Sequence, residues 1–350
     1  PIELMEIPIR NIFYLLSYAW NKLEEAEKIE ISASDYKDAL NLFTRVLVNG
    51  SNRLLKKGLD KAYLTVTEEY PGIKGKINFK DSLNKQLFKK GKAVCSYDIF
   101  SSNVLHNQIL KSVLRRLTKF SQLDKKLKNE VWKCYYRFHE IEEREVQLHD
   151  FKKVRIHRNN YEYDFMLRIS HLIIENAVLN ENDGTYQFKD FTRNEKAMAY
   201  LFEEFVRNFY TIEQSLYKVR REDIKWNAEA LYGGDLSLLP KMQTDITLET
   251  IDHKIIIDTK YYKNTLSVYY DTEKFHSNNL YQIHSYLVNL EKNQQNANNA
   301  TCDGMLLYPT VQKEIDSSFQ IGTHKVRVAT IDLSQDWSII NDRLLNLIPN

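Results

Sequence analysis

Cysteine, glycine and proline are scarce in this chain of 350 residues, with 3, 10 and 6 copies. Cys95, Cys134 and Cys302 are odd in number, far apart and without C-x-x-C spacing. That pattern argues against a disulfide framework or a cysteine zinc site and is expected of ordinary buried thiols. No apolar run approaches the roughly 20 residues of a membrane span. A signal-peptide pattern is also missing at the N-terminus, so a cytoplasmic location and no membrane partner are expected. An excess of one charge is absent too: the formal balance of +2 is too small to argue for nucleic acid by itself. Lys85, Lys89, Lys90 and Lys92, and again Lys125, Lys126 and Lys128, could follow a phosphate backbone or form a solvated face. Finally, there is no G-x-x-x-x-G-K-[ST] loop to cradle nucleotide phosphates, so any use of a nucleoside triphosphate would belong to a partner.

What is present is an ordinary globular composition. Hydrophobic residues at 43% and charged residues at 27% exclude a disordered chain, and the length allows two domains with separate cores. In IPIRNIFYLLSYAWNKL, Ile9, Ile12, Phe13, Leu16 and Trp20 share a helical face. Ser34 followed by Asp35 and Asp38 reads as the start of a helix over ALNLFTRVLVNG, with Gly50 as its stop and a second helical segment ending near Gly58. AYLTVTEEYPGIKGKINF reads as two strands around a tight turn at Pro71, Gly72 and Gly75. Helical patterns return in VLHNQILKSVLRRLTKF, in LKNEVWKCYYRF, from Tyr161 to Val178, and in NEKAMAYLFEEFVRNFY.

From Leu236 onward the chain alternates strand patterns with one helix: LLPKMQTDITL, HKIIIDTKYY, the helical NNLYQIHSYLVNL, GMLLYP and KVRVATIDL. The run NQQNANNATCDG reads as an exposed loop. The expected fold is therefore α+β in two domains. A mostly helical N-terminal domain with a small β element covers 1–160, and an α/β domain covers 161–350.

The chemistry concentrates in IIIDTKYYKN. Asp-x-Lys recurs elsewhere, as at Asp150 and Lys152, so the tripeptide alone carries nothing. If ITLETIDHKIII is a hairpin turning about Ile251 and Asp252, Glu249 meets Lys254, Asp245 meets Asp258 and Lys260 meets Gln243. Two carboxylates directly opposite repel, and a divalent cation between them reverses that. Strand period two puts Lys260 on the face of Asp258. Two acids with a lysine suit phosphodiester hydrolysis, and an all-oxygen ligand set favours Mg²⁺ or Mn²⁺ over zinc. The competing reading is a surface salt-bridge cluster. Gln282 and Tyr286 share one face of the following helix and could bind the DNA strand or support the lysine. Glu203 could reach the same metal from the preceding helix, as could its neighbour Glu204.

These residues resemble a known site. Asp245 with Asp258, Thr259 and Lys260 is similar to the catalytic core of the PD-(D/E)xK nucleases, and Gln282 with Tyr286 to the motif of their RecB-like branch, although no proline directly precedes Asp245. A likeness over nearly the whole chain carries more information. IPIRNIFYLLSYAW, YPGIKGKINF, FTRNEKAMAYLFEEF, LLPKMQTDIT, IIIDTKYYK and TEKFHSNNLYQIHSYL resemble the McrC-like nuclease subunits of McrBC restriction systems.

The resemblance implies a restriction-endonuclease-like C-terminal domain. Asp245, Asp258 and the Thr259 carbonyl would hold Mg²⁺, and Lys260 would be the catalytic lysine. It also implies an N-terminal domain that docks on, and stimulates, a McrB-like AAA+ GTPase hexamer, with double-stranded DNA carrying modified cytosine as substrate and self-association between complexes when DNA is cut. Arg10, Asn11, Lys74 and Lys76 fall in matching segments and could touch the GTPase, or serve as helix-cap and turn residues. Two other functions stay open at this point: a scaffold for the GTPase without nuclease activity, and a stand-alone RecB-like nuclease.

Overall fold

Residues 7–24, 38–158, 160–261, 267–269, 272–293, 296–310 and 314–349 are described by a computed structural model. It divides into two compact units, residues 1–26 with 190–350 and residues 27–189. This differs from the boundary expected near 160 at both ends. Helix α1 (Ile9–Ala19) belongs with the C-terminal residues because it is buried on most of its circumference there. Tyr14 stacks on Trp337 with ring centroids 4.5 Å apart, and Tyr18 packs against Phe205 and Phe209. No helical period announces partners so far along the chain.

The unit 27–189 contains helices α2 (Ala39–Lys57), α3 (Phe79–Asn84), α4 (Leu105–Leu117), α5 (Lys125–Tyr136), α6 (Leu148–Phe151) and α7 (Glu162–Glu175). The expected cap residues Ser34 and Asp35 lie outside the described residues; Asp38 caps α2 by accepting from the Asn41 amide at 2.9 Å. Gly50 does not stop that helix, which runs on to Gly58 at φ 97°. Gly50 serves close approach instead: a Cβ there would lie 2.1 Å from Met166 Sδ on α7.

The expected hairpin is also corrected. Strands β1 (Ala62–Pro71) and β2 (Lys76–Ile77) do not pair with each other but flank β3 (Lys92–Ser101) on either side. A further small ladder joins β4 (Ala177–Leu179) to β5 (Tyr186–Phe188).

Short α6 is held by charge. Asp150 receives Lys153 Nζ at 2.9 Å and the Gln147 amide at 3.1 Å, and Arg144 lies 3.2 Å away. The Lys153 bond first, then the Gln147 amide, hold the carboxyl down at about 2, against 3.8 ordinarily. A lowered acid stabilises the fold fully above its unfolded value and loses that contribution as the pH falls through the folded one. Asp150→Asn is therefore expected to lower the melting temperature at pH 7, with the gap to wild type narrowing below about pH 4. Paired thermal melts over that range check this, and a gap independent of pH would contradict it.

The second unit is built on a six-stranded mixed sheet. Its strands are β6 (Lys218–Arg220), β9 (Ile246–Glu249), β10 (Lys254–Thr259), β13 (Asp303–Thr310), β14 (Asp316–Ile321) and β15 (His324–Asp332), in the order β14-β15-β13-β10-β9-β6. Two short ladders accompany it, β7 (Asp223–Ile224) with β8 (Met242–Gln243), and β11 (Ser267–Tyr269) with β12 (Thr272–Lys274).

Helix α8 (Glu195–Glu213) packs on α1 and against β6 and β10. Helix α9 (Ser277–Glu291) connects the β10 side of the sheet to β13, and α10 (Trp337–Asn346) lies against β15. Ile256 and Leu306 share an apolar cluster with Ile283, Tyr286 and Leu287 of α9. Alternation then turns Ile255 and Ile257 to the other face, so β10 is buried on both sides along its whole length. Gly304 permits that contact, because a Cβ there would meet Leu287 Cδ1 at 2.9 Å.

All three cysteines are buried free thiols. No helix among the described residues is long and apolar enough to cross a membrane.

Candidate active site

The expected register is present where β9 and β10 pair. Lys254 lies opposite Glu249, and the ladder continues to Ile257 opposite Ile246. There the chain departs from it. Asp245 leaves the ladder and turns its carboxylate toward β10, where Oδ2 accepts from the Thr259 amide at 2.8 Å and from Thr259 Oγ1 at 3.0 Å. The expected match of Lys260 with Gln243 does not form. Gln243 pairs with Asp223 in the β7–β8 ladder, and its Nε2 donates to Asp223 Oδ1 at 2.6 Å. Lys260 instead extends the parallel ladder by one bond, from its amide to Leu307 O at 3.0 Å.

Asp258 is 0% exposed, in register with Leu306 on the parallel neighbour. Lys260 Nζ is 2.7 Å from its Oδ2, while Oδ1 is buried without a hydrogen-bond partner among the described residues. At that distance the ammonium and the carboxylate form an ion pair inside the low-dielectric core. Burial first pushes the Asp258 carboxyl well above the usual range. Lys260 opposes that, and the charges of Asp245 and Glu203 add to it. A surface salt-bridge cluster is thereby excluded: the acid is in the core, and a buried charge with an orphaned oxygen is costly unless something pairs it.

The remaining expected residues distribute unevenly. Gln282 Nε2 donates to Tyr286 OH at 2.8 Å. Burial, and then the nearby charges of Asp258 and Asp245, push the Tyr286 phenol up, against its Gln282 bond, so α9 brings this pair to the aspartates. Glu203 is electrostatically coupled to both aspartates, but its carboxylate is taken by Arg221. Among the described residues no three His, Cys, Asp or Glu side chains stand close enough to hold an ion.

Asn11, one of the expected docking residues, is engaged within its own chain. It is buried, and its Nδ2 donates to Leu333 O and Gln335 O, both at 2.8 Å. Arg10 is exposed, with its guanidinium 5.7 Å from the Tyr14 ring centre. Lys74 and Lys76 are exposed on the other unit, and the Lys74 ammonium sits 3.8 Å above the Tyr97 ring. Arg207 and Arg221, which hold Glu203 and Glu204, were not legible. They sit on a helix and in a short link with no motif around them.

A family model described as the McrBC 5-methylcytosine restriction system component matches residues 8–309. The chain belongs to this McrBC restriction-system family. Within the family it is 33% identical over 341 residues to the Escherichia coli (strain K12) type IV methyl-directed restriction enzyme EcoKMcrBC, covering 97% of each chain. In fold it matches a chain of the Thermococcus gammatolerans half-complex of McrB AAA+ hexamers with bound McrC. The TM-score is 0.59 at 13% identity, over 97% of this chain and 76% of that one. A cryo-EM structure of the Thermococcus gammatolerans McrBC complex superposes less well, with a TM-score of 0.43 at 14% identity over 62% and 61% of the two chains, and adds nothing to that.

Proposed function

We propose that this chain is the McrC-type nuclease subunit of a modification-directed restriction system, hydrolysing phosphodiesters of double-stranded DNA that carries methylated cytosine. The observation that carries the proposal is the buried Asp258, with Oδ1 orphaned among the described residues and Lys260 at 2.7 Å, within electrostatic reach of the Asp245 carboxylate that Thr259 holds. On this reading the sheet bearing β9 and β10 is a PD-(D/E)xK core.

Asp245, Asp258 and the Thr259 carbonyl would hold Mg²⁺ or Mn²⁺, because all three are oxygen donors. When bound, such an ion supplies Lewis acidity to a phosphoryl oxygen and lowers the pKa of a coordinated water. The chain's own part is positional. Thr259 fixes Asp245 through two hydrogen bonds, and β10 fixes Asp258. Lys260 places an ammonium where it can orient the attacking water or meet charge developing on the phosphate. Gln282 and Tyr286 lie at the same edge and suit contact with the DNA strand.

Partners follow from the family. The Escherichia coli relative is named as a methyl-directed restriction enzyme, and the archaeal assembly joins McrB AAA+ hexamers to McrC. By likeness, an AAA+ GTPase hexamer docks on this chain and hydrolyses the GTP, and complexes associate with one another to cut both strands. The exposed Arg10, Lys74 and Lys76 are available to that contact.

The test is cleavage of methylated and unmethylated plasmid with Mg²⁺, GTP and the co-expressed GTPase, while GTP hydrolysis is followed in the same tubes. Cutting confined to methylated plasmid and dependent on both Mg²⁺ and GTP supports the proposal. Stimulated GTP hydrolysis without cutting would make the chain a scaffold, and cutting without the GTPase would make it a stand-alone nuclease.

A further inference from the structure

Beside the aspartates lies a second charged network. Glu203 and Glu204 sit mid-way along α8, and Arg221 lies in the link between β6 and β7. Arg221 Nη2 donates to Glu203 Oε1 and, at 2.8 Å, to Glu204 Oε1. Glu204 has a second bond, from Arg207 Nη2 one turn along its own helix. Glu203 has no equivalent among the described residues: Arg207 Nη1 stands 3.6 Å from it and is buried without a hydrogen-bond partner there.

Exposure separates the two arginines. The Arg207 side chain is 17% exposed and that of Arg221 37%, so Arg221 is the member that an incoming ligand can reach. The two guanidiniums and two carboxylates cancel in charge, whereas Asp245, Asp258 and Lys260 together leave one negative charge. Glu203 feels that neighbour: burial first, then Asp245, push its carboxyl up, against Arg221 and Arg207.

We propose that Arg221 is a positioning residue that latches Glu203 away from the metal ligands in the DNA-free protein and releases it when a DNA phosphate draws the guanidinium off. The inference rests on Asp245 and Asp258 being the metal site. A phosphate is a strong bidentate partner for arginine, and it arrives at the exposed side of the network. Once Arg221 leaves, Glu204 keeps Arg207, but Glu203 becomes a half-buried carboxylate with its nearest countercharge 3.6 Å away. A divalent cation between it and the aspartates removes that cost. The latch thus makes Glu203, rather than Glu204, the third acidic group of the site. It also couples metal affinity to DNA binding, a coupling that must act equally in both directions.

Mn²⁺ titration of the full chain, read as loss of the free-ion EPR signal, tests this. Without DNA, Arg221→Gln is expected to tighten Mn²⁺ binding by roughly five- to 150-fold, the usual span of such a coupling. Adding Glu203→Gln should cancel the gain. Arg221→Lys, which keeps the charge but on a shorter arm without the planar guanidinium, should fall between wild type and Arg221→Gln. Saturating short duplex DNA, without GTP, should tighten wild type and leave Arg221→Gln unchanged.

Equal affinity in wild type and Arg221→Gln, or a gain that survives Glu203→Gln, overturns the latch. Duplex that tightens both proteins equally, or neither, overturns release by phosphate. Asp258→Asn separates the levels: if Mn²⁺ binding survives it, the metal-site assignment has failed and not the latch alone.

Discussion

Asp258→Asn is expected to lower DNA cleavage by on the order of a thousandfold or more while leaving stimulation of the partner GTPase intact. A metal acting as a Lewis acid supplies several kcal/mol to the transition state, and each 1.36 kcal/mol is about tenfold in rate. The same change should not destabilise the metal-free protein. Asp258 is buried with its Oδ1 unpaired, and burial raises its carboxyl above the ordinary 3.8. An acid with a raised folded pKa costs stability once the pH exceeds its unfolded value, and that cost grows until the pH passes the folded value. Asparagine, always neutral, escapes it.

The melting temperature of metal-free Asp258→Asn should therefore equal or exceed that of wild type at pH 7, and the two should converge toward pH 4. Mg²⁺ should raise the wild-type melting point and leave the variant's unchanged, since a ligand stabilises only the fold that binds it. Three measurements check this: plasmid cleavage, GTP hydrolysis, and melts with and without Mg²⁺. Cutting retained by the variant at saturating Mg²⁺ would exclude this site.

Much of the site was legible because it is local. A hairpin fixes its register through short-range pairing, and the Glu249–Lys254 charge match sets Ile257 opposite Ile246 three steps on. From there Asp258 and Lys260 follow by strand period. Extrapolation failed where the ladder ended. Thr244 donates its amide to Glu222 O at 2.9 Å, and that bond carries Gln243 away from Lys260 to Asp223.

Features set by distant chain were not legible. Helix α1 shows an apolar stripe, yet nothing in it tells that Trp337 will stack on Tyr14. A fragment of residues 1–160 would accordingly expose the α1 aromatics and lack α7, so it is a poor test of docking; residues 27–189 are the compact unit. In the same way β1 waits for β3, and the turn between β1 and β2 suggested a simpler hairpin than forms.

Lys254→Met is expected to destabilise the nuclease unit by about 3–5 kcal/mol, the usual cost of removing one partner from a buried ion pair. The Lys254 side chain is 0% exposed. Its Nζ lies 3.1 and 3.2 Å from the two Glu222 oxygens, 3.3 Å from Glu249 Oε1 and 2.6 Å from Asn299 Oδ1. Asn299 belongs to the run expected to be an exposed loop. In fact Asn298 and Asn299 are buried, and Asn296 Nδ2 donates to Glu249 at 2.5 Å.

This cluster ties β6, β9 and the asparagine segment to the start of the strand whose far end carries Asp258. Burial works against ionising Glu249, but Arg220, Lys254 and Asn296 outweigh it and hold its carboxyl below the ordinary 4.5. A lowered acid contributes fully above that value and less as the pH falls through the folded one. At roughly 2–4 °C per kcal/mol, the melting point should fall by about 6–20 °C at pH 7 and by less in acid. Lys254→Met combined with Glu222→Gln should recover part of the loss, because one stranded carboxylate is gone. A drop of under about 2 °C at pH 7, or a double variant no better than the single, would mean that Arg220 and water already neutralise the glutamates and that Lys254 contributes packing alone.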